Sequence, residues 1–262
     1  MKILLVGDIV GSPGRRFFGE VVKKLRAENT VQIVIANAEN AAAGNGITVP
    51  LAQELLGYGA DVLTLGDHAW GQRELEGSIG TEKRLLRPVN FPSGVPGQGS
   101  ITIQTAFGPL SVVSLMGRIF MSPAFDCPFR TIDAELKRLP ANVPVLVDFH
   151  AEATSEKIAM GHYLDGRVAA VFGTHTHVQT SDAFILPKGT AYITDLGMTG
   201  PYHSVIGREI APVTKRFTTG VPAKFEVAAG PCGLEGAILD LNNTTRKVTS
   251  ITPFRAREPM PQ

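Results

Sequence analysis

Two histidines one residue apart are the residues of this chain whose types and spacing most directly indicate chemistry. They are His175 and His177, in a Gly-Thr-His-Thr-His segment that follows the apolar run 167–172. The run is typical of a buried strand, and in open α/β sheets ligands collect beyond the carboxyl ends of strands. Neutral imidazole is a common metal ligand, so the pair indicates a metal site. A loop with two solvated histidines is the alternative that the pair alone leaves open.

Four other apolar runs also end in polar side chains. These runs, each predicted to be a strand, are residues 2–7, 31–36, 61–66 and 143–149. The polar residues that follow them are Asp8, Glu39, Asn40, Asp67, His68 and His150. Turn chemistry can account for one such ending, but right-handed crossovers bring successive parallel strand ends to one edge of a sheet. The sequence therefore predicts that these side chains share one site with the histidine pair.

A mixed set of carboxylate, amide and imidazole donors predicts two cations. Iron, manganese and zinc accept both imidazole and carboxylate ligands, whereas calcium or magnesium alone would not use three imidazoles. A carboxylate can bridge two metal ions about 3.5 to 4 Å apart in hydrolytic sites. The early glycines do not indicate a dinucleotide site, because Asp8 and Pro13 interrupt the G-x-G-x-x-G pattern.

The elements that must position these residues follow from the periodicity of the rest of the chain. Helices are predicted over residues 15–28, 51–56, 72–86, 129–139, 154–163 and 208–217, with Thr154 or Ser155 as a cap. Runs 100–105 and 110–115 around a Phe-Gly-Pro turn predict a hairpin that begins a second sheet. Residues 224–252 predict three antiparallel strands, and residues 255–262 a frayed tail. Without a repeat or a linker, the chain is predicted to be one α/β domain over residues 1–262.

Composition argues against several classes of partner. The 262 residues are 44% hydrophobic and 19% charged with a net charge of +1, which is ordinary for a soluble globular protein. A charge this small gives no reason to expect a duplex nucleic-acid binder or a membrane-surface protein. Cys127 and Cys232 lack metal or redox spacing, and no apolar run is long enough for a signal core or a membrane span. We expect a cytoplasmic protein.

The order of the motifs resembles that of the calcineurin-like metallophosphoesterase superfamily. The motifs are Gly-Asp, Asn-Ala-Glu-Asn, Gly-Asp-His, a strand ending in histidine, and Gly-Thr-His-Thr-His. Residues 147–157, 172–178 and 194–200 are similar to the bacterial YmdB family of 2',3'-cyclic-nucleotide 2'-phosphodiesterases, and the resemblance spans almost the whole chain. It implies a metallophosphoesterase-type sandwich of two mixed β-sheets flanked by helices.

The resemblance also implies a role for each polar residue. The first ion would be held by Asp8, Asn40 and His177, the second by Asp67, His150 and His175, with Glu39 bridging them and His68 as general acid. The sequence departs from the superfamily at Val10, where a histidine is usual and Asn40 is the expected substitute ligand. It departs from the family at Asp67, where asparagine is usual. An ionised Asp67 donates no hydrogen bond and adds negative charge facing a phosphate.

The implied activity is hydrolysis of 2',3'-cyclic nucleotides to 3'-nucleotides by a metal-bridging hydroxide, while His68 protonates the leaving 2'-oxygen. The expected cofactors are two divalent or trivalent ions, iron or manganese first and zinc as the alternative. The expected substrate is a cyclic nucleotide or an RNA-derived cyclic phosphate, and the family favours a homo-oligomer. Two alternatives remain: a related phosphomonoesterase or nucleotidase, and a nucleotide-responsive regulatory protein whose turnover Asp67 weakens.

Substrate contacts have weaker candidates. Trp70 could stack on a base, although a single tryptophan beside a site also serves as wall packing. Arg118, Arg130 and Lys157 could contact phosphate, with a salt bridge as the alternative for each. His203 follows a family-like Thr-Gly-Pro-Tyr segment and could line the site.

Overall fold

The computed structural model describes residues 1–123 and 125–260. The strands are β1 Lys2–Val6, β2 Asp8–Ile9, β3 Ile33–Asn37, β4 Val62–Thr64, β5 Leu85–Leu86, β6 Ser100–Thr105, β7 Gly108–Met116, β8 Val145–His150, β9 Ala170–Thr174, β10 Phe184–Ile185, β11 Ala191–Ile193, β12 Met198–Pro201, β13 Cys232–Leu241 and β14 Val248–Arg257. The helices are α1 Gly11–Ala27, α2 Val49–Gly57, α3 Glu74–Ser78, α4 Pro128–Arg138, α5 Thr154–Leu164 and α6 Ile210–Thr219. None of these helices combines the length and the apolar character needed to cross a membrane.

The first sheet has the strand order β2-β12-β13-β1-β3-β4-β5, and β14 pairs with the other edge of β13. Strands β1, β3, β4 and β5 are parallel, whereas β13 runs antiparallel to β1. The chain leaves β1 at Gly7 and continues as β2, which pairs with β12. A Cβ on Gly7 would lie 2.1 Å from the carbonyl oxygen of Gly197, so a glycine is needed for this close approach.

The second sheet has the strand order β10-β11-β9-β8-β7-β6. Its β6–β7 hairpin is antiparallel, which confirms the predicted start of a second sheet. Strands β7, β8, β9 and β11 are parallel, so the carboxyl ends of β8 and β9 emerge at the same edge.

The alternation of side chains along the strands creates three apolar layers. Leu5 and Phe172 lie in the cluster between the two sheets. On the other face of β1, Leu4 packs with Phe18 of α1, and Met160 of α5 belongs to the cluster outside the second sheet. The result is two mixed sheets flanked by helices, as expected for the fold class.

The helix predicted over residues 72–86 is wrong. Only Glu74–Ser78 is α-helical, a 3-10 turn follows at Ile79–Thr81, and Leu85–Leu86 joins the first sheet as β5. Gly77 and Gly80 lie in this region, and glycine lowers helix propensity by about 1 kcal/mol relative to alanine. The predicted cap of α5 is also wrong, because Ala153 is the N-cap residue and makes no side-chain cap.

The prediction of three antiparallel strands over residues 224–252 is likewise wrong. The structure has two long strands, β13 and β14, and residue Val227 makes only an isolated bridge with Arg208. Pro231, which has no N–H, and Gly230 separate this segment from β13. Residues 255–257 are part of β14 and not of a frayed tail, and residues 261–262 of the predicted tail lie outside the described residues.

Candidate metal centre

Strand ends from both sheets meet in one place. The structure brings together all eight polar residues singled out in the sequence, each within 4.0 Å of another member: Asp8, Glu39, Asn40, Asp67, His68, His150, His175 and His177. The first sheet supplies the carboxylates, Asn40 and His68, and the second sheet supplies the other three histidines. The site therefore exists only where the two sheets pack on each other.

One half of the site is formed by Glu39, Asp67, His150 and His175. Each offers one ligand atom, and the four atoms lie within 4.8 Å of one another. His150 Nε2 is 2.9 Å from Asp67 Oδ1 and 3.2 Å from Glu39 Oε1. His175 Nδ1 is 3.3 Å from Asp67 Oδ1. This is a compact mixed donor set that suits a borderline metal ion.

The other half contains Asp8, Asn40 and His177. His177 Nε2 lies 3.2 Å from Asn40 Oδ1 and 3.7 Å from Asp8 Oδ1. Asp8 is fully buried, and its Oδ1 has no hydrogen-bond partner among residues 1–123 and 125–260. An unpaired buried carboxylate oxygen is costly, so this atom fits a bound cation. Burial raises the pKa of Asp8, which the neighbouring imidazoles only partly offset.

The charges of the site are strongly coupled. Burial favours the neutral form of Glu39, but His150 and His68 outweigh it and lower the pKa of Glu39 to about 2. The same balance lowers the pKa of Asp67, where hydrogen bonds from His150 and His175 outweigh burial. Burial alone would lower the pKa of His150, yet the two carboxylates raise it well above its ordinary value. The two carboxylates therefore favour the charged form of the His150 imidazole.

His68 is the most accessible imidazole of the group, with 41% of its side chain exposed. Its Nδ1 is 3.0 Å from Glu39 Oε1, and its backbone N–H donates to Glu39 Oε2 at 3.1 Å. The hydrogen bond to Glu39 raises the pKa of His68 against the effect of burial. The arrangement holds one ring nitrogen in the site and leaves the imidazole accessible to a ligand in the cleft.

The sequence did not predict the layer of polar side chains that lies behind His150. His150 Nδ1 is 2.9 Å from Thr174 Oγ1, and that hydroxyl donates to Asp148 Oδ1 at 2.7 Å. Asn37 Nδ2 donates to Asp148 Oδ2 at 3.2 Å. Burial raises the pKa of Asp148 to about 6. These contacts fix the ring so that Nε2 faces Glu39 and Asp67, and an aspartate inside an apolar strand was the only sequence signal for them.

The backbone of the two-histidine loop is strained. His175 has φ 102° and His177 has φ 63°, values that residues other than glycine rarely adopt. Lys157, a candidate phosphate contact in the sequence, instead lies beneath this loop with 1% of its side chain exposed. Its Nζ donates to the Thr174 carbonyl and to Asp195 Oδ2, both at 2.7 Å.

A cleft of ≈ 430 Å³ opens above the centre. Its wall includes Glu39, Asn40, His68, His175 and His177 together with residues that were not predicted: Glu152, Ile206, Arg208 and Phe225. Glu152 Oε2 lies 3.1 Å from His175 Nε2 and can orient that ring. Arg208 and Phe225 gave no sequence signal, because neither belongs to a motif or follows a predicted strand.

None of the four candidate substrate contacts is among the described residues that line this cleft. Trp70 packs against the apolar layer under α1, with its ring centroid 6.2 Å from that of Phe91. Arg118, Arg130 and His203 are exposed. The packing alternative for Trp70 therefore fits its surroundings better than base stacking does.

Comparison with known proteins gives consistent matches along the whole chain. The model of the family described as "YmdB-like protein" matches residues 4–254. The 2',3'-cyclic-nucleotide 2'-phosphodiesterase of Bacillus subtilis (strain 168) is 46% identical over 252 residues, which are 96% of this chain and 95% of the relative.

Two solved structures have the same fold as this chain. A hypothetical protein from Thermus thermophilus is 43% identical with a TM-score of 0.93, and the match covers 99% of this chain and 100% of that one. A structure described as a novel phosphatase from Mycoplasma pneumoniae is 32% identical with a TM-score of 0.93, covering 100% and 95%. The family resemblance found in the sequence is confirmed by these matches.

Proposed function

Because this chain belongs to the YmdB-like family, we propose that it is a metal-dependent phosphodiesterase that hydrolyses 2',3'-cyclic nucleotides to 3'-nucleotides. The observation that carries the proposal is Asp8 Oδ1, which is fully buried and has no hydrogen-bond partner among the described residues, beside a second group of four ligand atoms. Such a concentration of carboxylates and imidazoles at the base of a cleft fits two cations. The activity named for the Bacillus subtilis relative supports the choice of substrate.

We assign Asp8, Asn40 and His177 to one ion, Asp67, His150 and His175 to the other, and Glu39 to both. The donor set favours iron or manganese, with zinc as the alternative. When bound, such ions lower the pKa of water and neutralise charge on phosphate oxygens. Asp148 and Thr174 orient His150, and Lys157 supports the loop that carries His175 and His177.

His68 serves as the general acid in this proposal. Its Nδ1 is held by Glu39, which keeps the ring in place and raises its pKa, so the protonated form that a general acid needs is favoured. The exposed side of the ring then delivers that proton to the leaving 2'-oxygen. The product is a 3'-nucleotide.

The test of His68 separates chemistry from metal binding. We expect His68→Ala to lower kcat for 2',3'-cyclic AMP by about 10²- to 10⁴-fold, the usual contribution of a general acid, with metal content unchanged. Metal content is measured by inductively coupled plasma mass spectrometry, with His162→Ala on α5 as the control. Loss of metal together with activity would show that His68 is a ligand instead of an acid.

A substrate panel tests the activity itself. The metal-loaded protein is expected to hydrolyse 2',3'-cyclic nucleotides in preference to 3',5'-cyclic nucleotides and simple phosphate monoesters. Faster hydrolysis of monoesters would favour the phosphomonoesterase or nucleotidase alternative. Tight nucleotide binding without turnover would favour a regulatory protein.

We further propose that residues 1–262 act as one domain, in the cytoplasm, and that the chain self-associates. The proposed ligands come from both sheets, which supports a single domain. Cys127 and Cys232 are free thiols, which suits a reducing compartment. Phe120 and Phe217 are 87% and 81% exposed, which favours burial in a protein contact. Light scattering should give a mass of at least two chains; a monomer at micromolar concentration would exclude stable self-association.

A further inference from the structure

A strained turn brings Arg208 to the cleft. Val205 and Arg208 pair through two backbone hydrogen bonds of 2.9 Å, and the two residues between them, Ile206 and Gly207, have φ 46° and φ 91°. Positive φ at both central positions is typical of a type I′ turn, and a β-branched residue there is a strained outlier. The Ile206 carbonyl lies 3.1 Å from His177 Nδ1, which links the turn to the metal centre.

The guanidinium of Arg208 is held by neutral groups. Its Nη1 donates to the carbonyl oxygens of Ala43 at 3.0 Å and Phe225 at 3.3 Å, and its Nη2 donates to that of Gly44. In the described part of the chain no carboxylate forms a salt bridge with it, and its Nε has no acceptor. The guanidinium is half-buried, so a positively charged group whose N–H donors are not all used lies in the wall of the cleft.

Gly44 makes room for this guanidinium. Its φ is +80°, and a Cβ there would lie 2.5 Å from Arg208 Cζ, so the backbone and the guanidinium are in direct contact. The Gly44 carbonyl also accepts from Asn40 Nδ2 at 3.4 Å. Because Arg208 Nη2 and Asn40 Nδ2 donate to the same carbonyl oxygen, the two nitrogen atoms lie within roughly 6 Å of each other. The guanidinium is therefore beside Asn40, a proposed metal ligand.

We propose that Arg208 binds a nonbridging oxygen of the substrate's phosphate and makes the cleft specific for a phosphoester anion, an inference that rests on the proposed function. The carboxylates Glu39 and Glu152, which also line the cleft, repel an anion, and Arg208 adds a guanidinium to the same lining. Guanidinium groups bind phosphate through directed, charge-assisted hydrogen bonds. The competing explanation is that Arg208 only positions Asn40 through Gly44.

The experiment compares Arg208→Gln and Arg208→Lys in the full, metal-loaded chain. Inorganic phosphate is titrated calorimetrically, and KM and kcat are measured with 2',3'-cyclic AMP. Loss of a charge-assisted hydrogen bond is expected to weaken phosphate binding and raise KM about tenfold or more in Arg208→Gln. Lysine keeps the charge but loses the fork, so Arg208→Lys should be intermediate. Metal content should stay at the wild-type value in both.

Arg255→Gln is the matched control. Arg255 lines the neighbouring cavity beyond His177 and pairs with Glu235 at 2.8 Å, so its replacement removes the same charge outside the cleft. Phosphate affinity and KM should stay within about twofold of wild type if the effect at Arg208 is local.

Two results would overturn the proposal: unchanged phosphate affinity in both Arg208 variants, or loss of metal in proportion to the loss of phosphate binding, which would make Arg208 a positioning residue. If Arg208→Gln does not fold, Arg208→Lys is judged by the same criteria. Absence of 2',3'-cyclic AMP hydrolysis in the wild type would refute the proposed function alone, because the phosphate titration still decides the role of Arg208.

Discussion

At the scale of single residues, Asp67 is a carboxylate at a position where the family resemblance of the sequence leads us to expect asparagine. Its Oδ1 lies 2.9 Å from His150 Nε2 and 3.3 Å from His175 Nδ1. These imidazoles outweigh burial and lower the pKa of Asp67, so the carboxylate is ionised at neutral pH. It therefore strengthens attraction for a metal ion and weakens attraction for a phosphate.

Replacing this carboxylate tests that balance. Asp67→Asn keeps a carbonyl ligand, adds an amide donor and removes one negative charge, so we expect phosphate to bind roughly tenfold more tightly. The measurement is calorimetric titration with inorganic phosphate at matched metal content, with Asp126→Asn at the surface as the control. Weaker phosphate binding at full metal occupancy would contradict this account of Asp67. A rise in turnover from a negligible level would support the regulatory alternative.

Gly66 is required by the packing of His150, a proposed metal ligand. A Cβ at this position would lie 2.1 Å from His150 Cδ2, and the ring has no space to retreat because it is fully buried. We expect Gly66→Ala to displace His150, reduce bound metal by about half and cost about 1 to 3 kcal/mol in the free energy of unfolding.

Gly77→Ala provides the comparison for Gly66→Ala, because a Cβ there meets nothing within 4 Å in α3. This second substitution should leave metal content unchanged and be neutral or stabilising by a few tenths of a kcal/mol. Metal analysis and urea unfolding of both variants check the pair. Full metal occupancy in Gly66→Ala would mean that His150 is not a ligand.

At the scale of elements, the loop after β9 depends on the buried pair formed by Lys157 and Asp195. Asp195 Oδ2 accepts from Lys157 Nζ at 2.7 Å and from the Thr176 backbone N–H at 3.1 Å. The pair thus holds Thr176, which lies between His175 and His177, the two histidines with positive φ. Helix α5 and the segment after β11 together hold the loop that carries His175 and His177 in its strained conformation.

Removing one partner of this pair should be severe. Lys157→Met leaves Asp195 charged and buried, which typically costs about 3 to 5 kcal/mol in the free energy of unfolding. We expect metal occupancy to fall as well, because the loop loses its anchor. Urea unfolding and metal analysis provide the measurements, and Lys137→Met on the exposed face of α4 is the control. A loss below about 1 kcal/mol would show that the pair is not needed to hold the loop.

The strands and turns around the site differ in how well the sequence predicts them. Apolar runs ending in Asp8, Asp67 and His150 predicted both the strands and the site, because burial and polarity change abruptly at a strand end. Arg208 could not be found in this way, since its turn approaches the cleft through pairing with residues near Val227 and through contact with Gly44. Such contacts depend on tertiary packing and leave no periodic pattern.

At the scale of the whole molecule, the site joins the two sheets. Asp8, Glu39 and Asp67 lie on or after strands of the first sheet, and His150 and His175 lie on or after strands of the second. A metal ion held by both groups would bind the folded arrangement and not the unfolded chain. It would therefore stabilise the native state by about 2.7 kcal/mol at a free concentration of one hundred times Kd.

This stabilisation should depend on pH, because metal ions and protons compete for His150. Glu39 and Asp67 raise the pKa of His150 well above its ordinary value, despite burial. In the metal-free protein, protonated His150 therefore contributes stability below the unfolded pKa of about 6.5, and this contribution is lost as pH rises through the folded pKa. Metal ions require the neutral imidazole, so their affinity rises over the same interval.

We therefore expect the gain in Tm from saturating Mn²⁺, relative to protein treated with a chelator, to be larger at pH 8 than at pH 6. Differential scanning fluorimetry of both forms at the two pH values measures it. His162→Gln removes an exposed imidazole of α5 and should preserve the difference. If a proton and a metal ion compete for His150, the gain in Tm from Mn²⁺ must increase as His150 loses its proton. Equal gains in Tm at the two pH values would therefore show that His150 does not exchange a proton for metal.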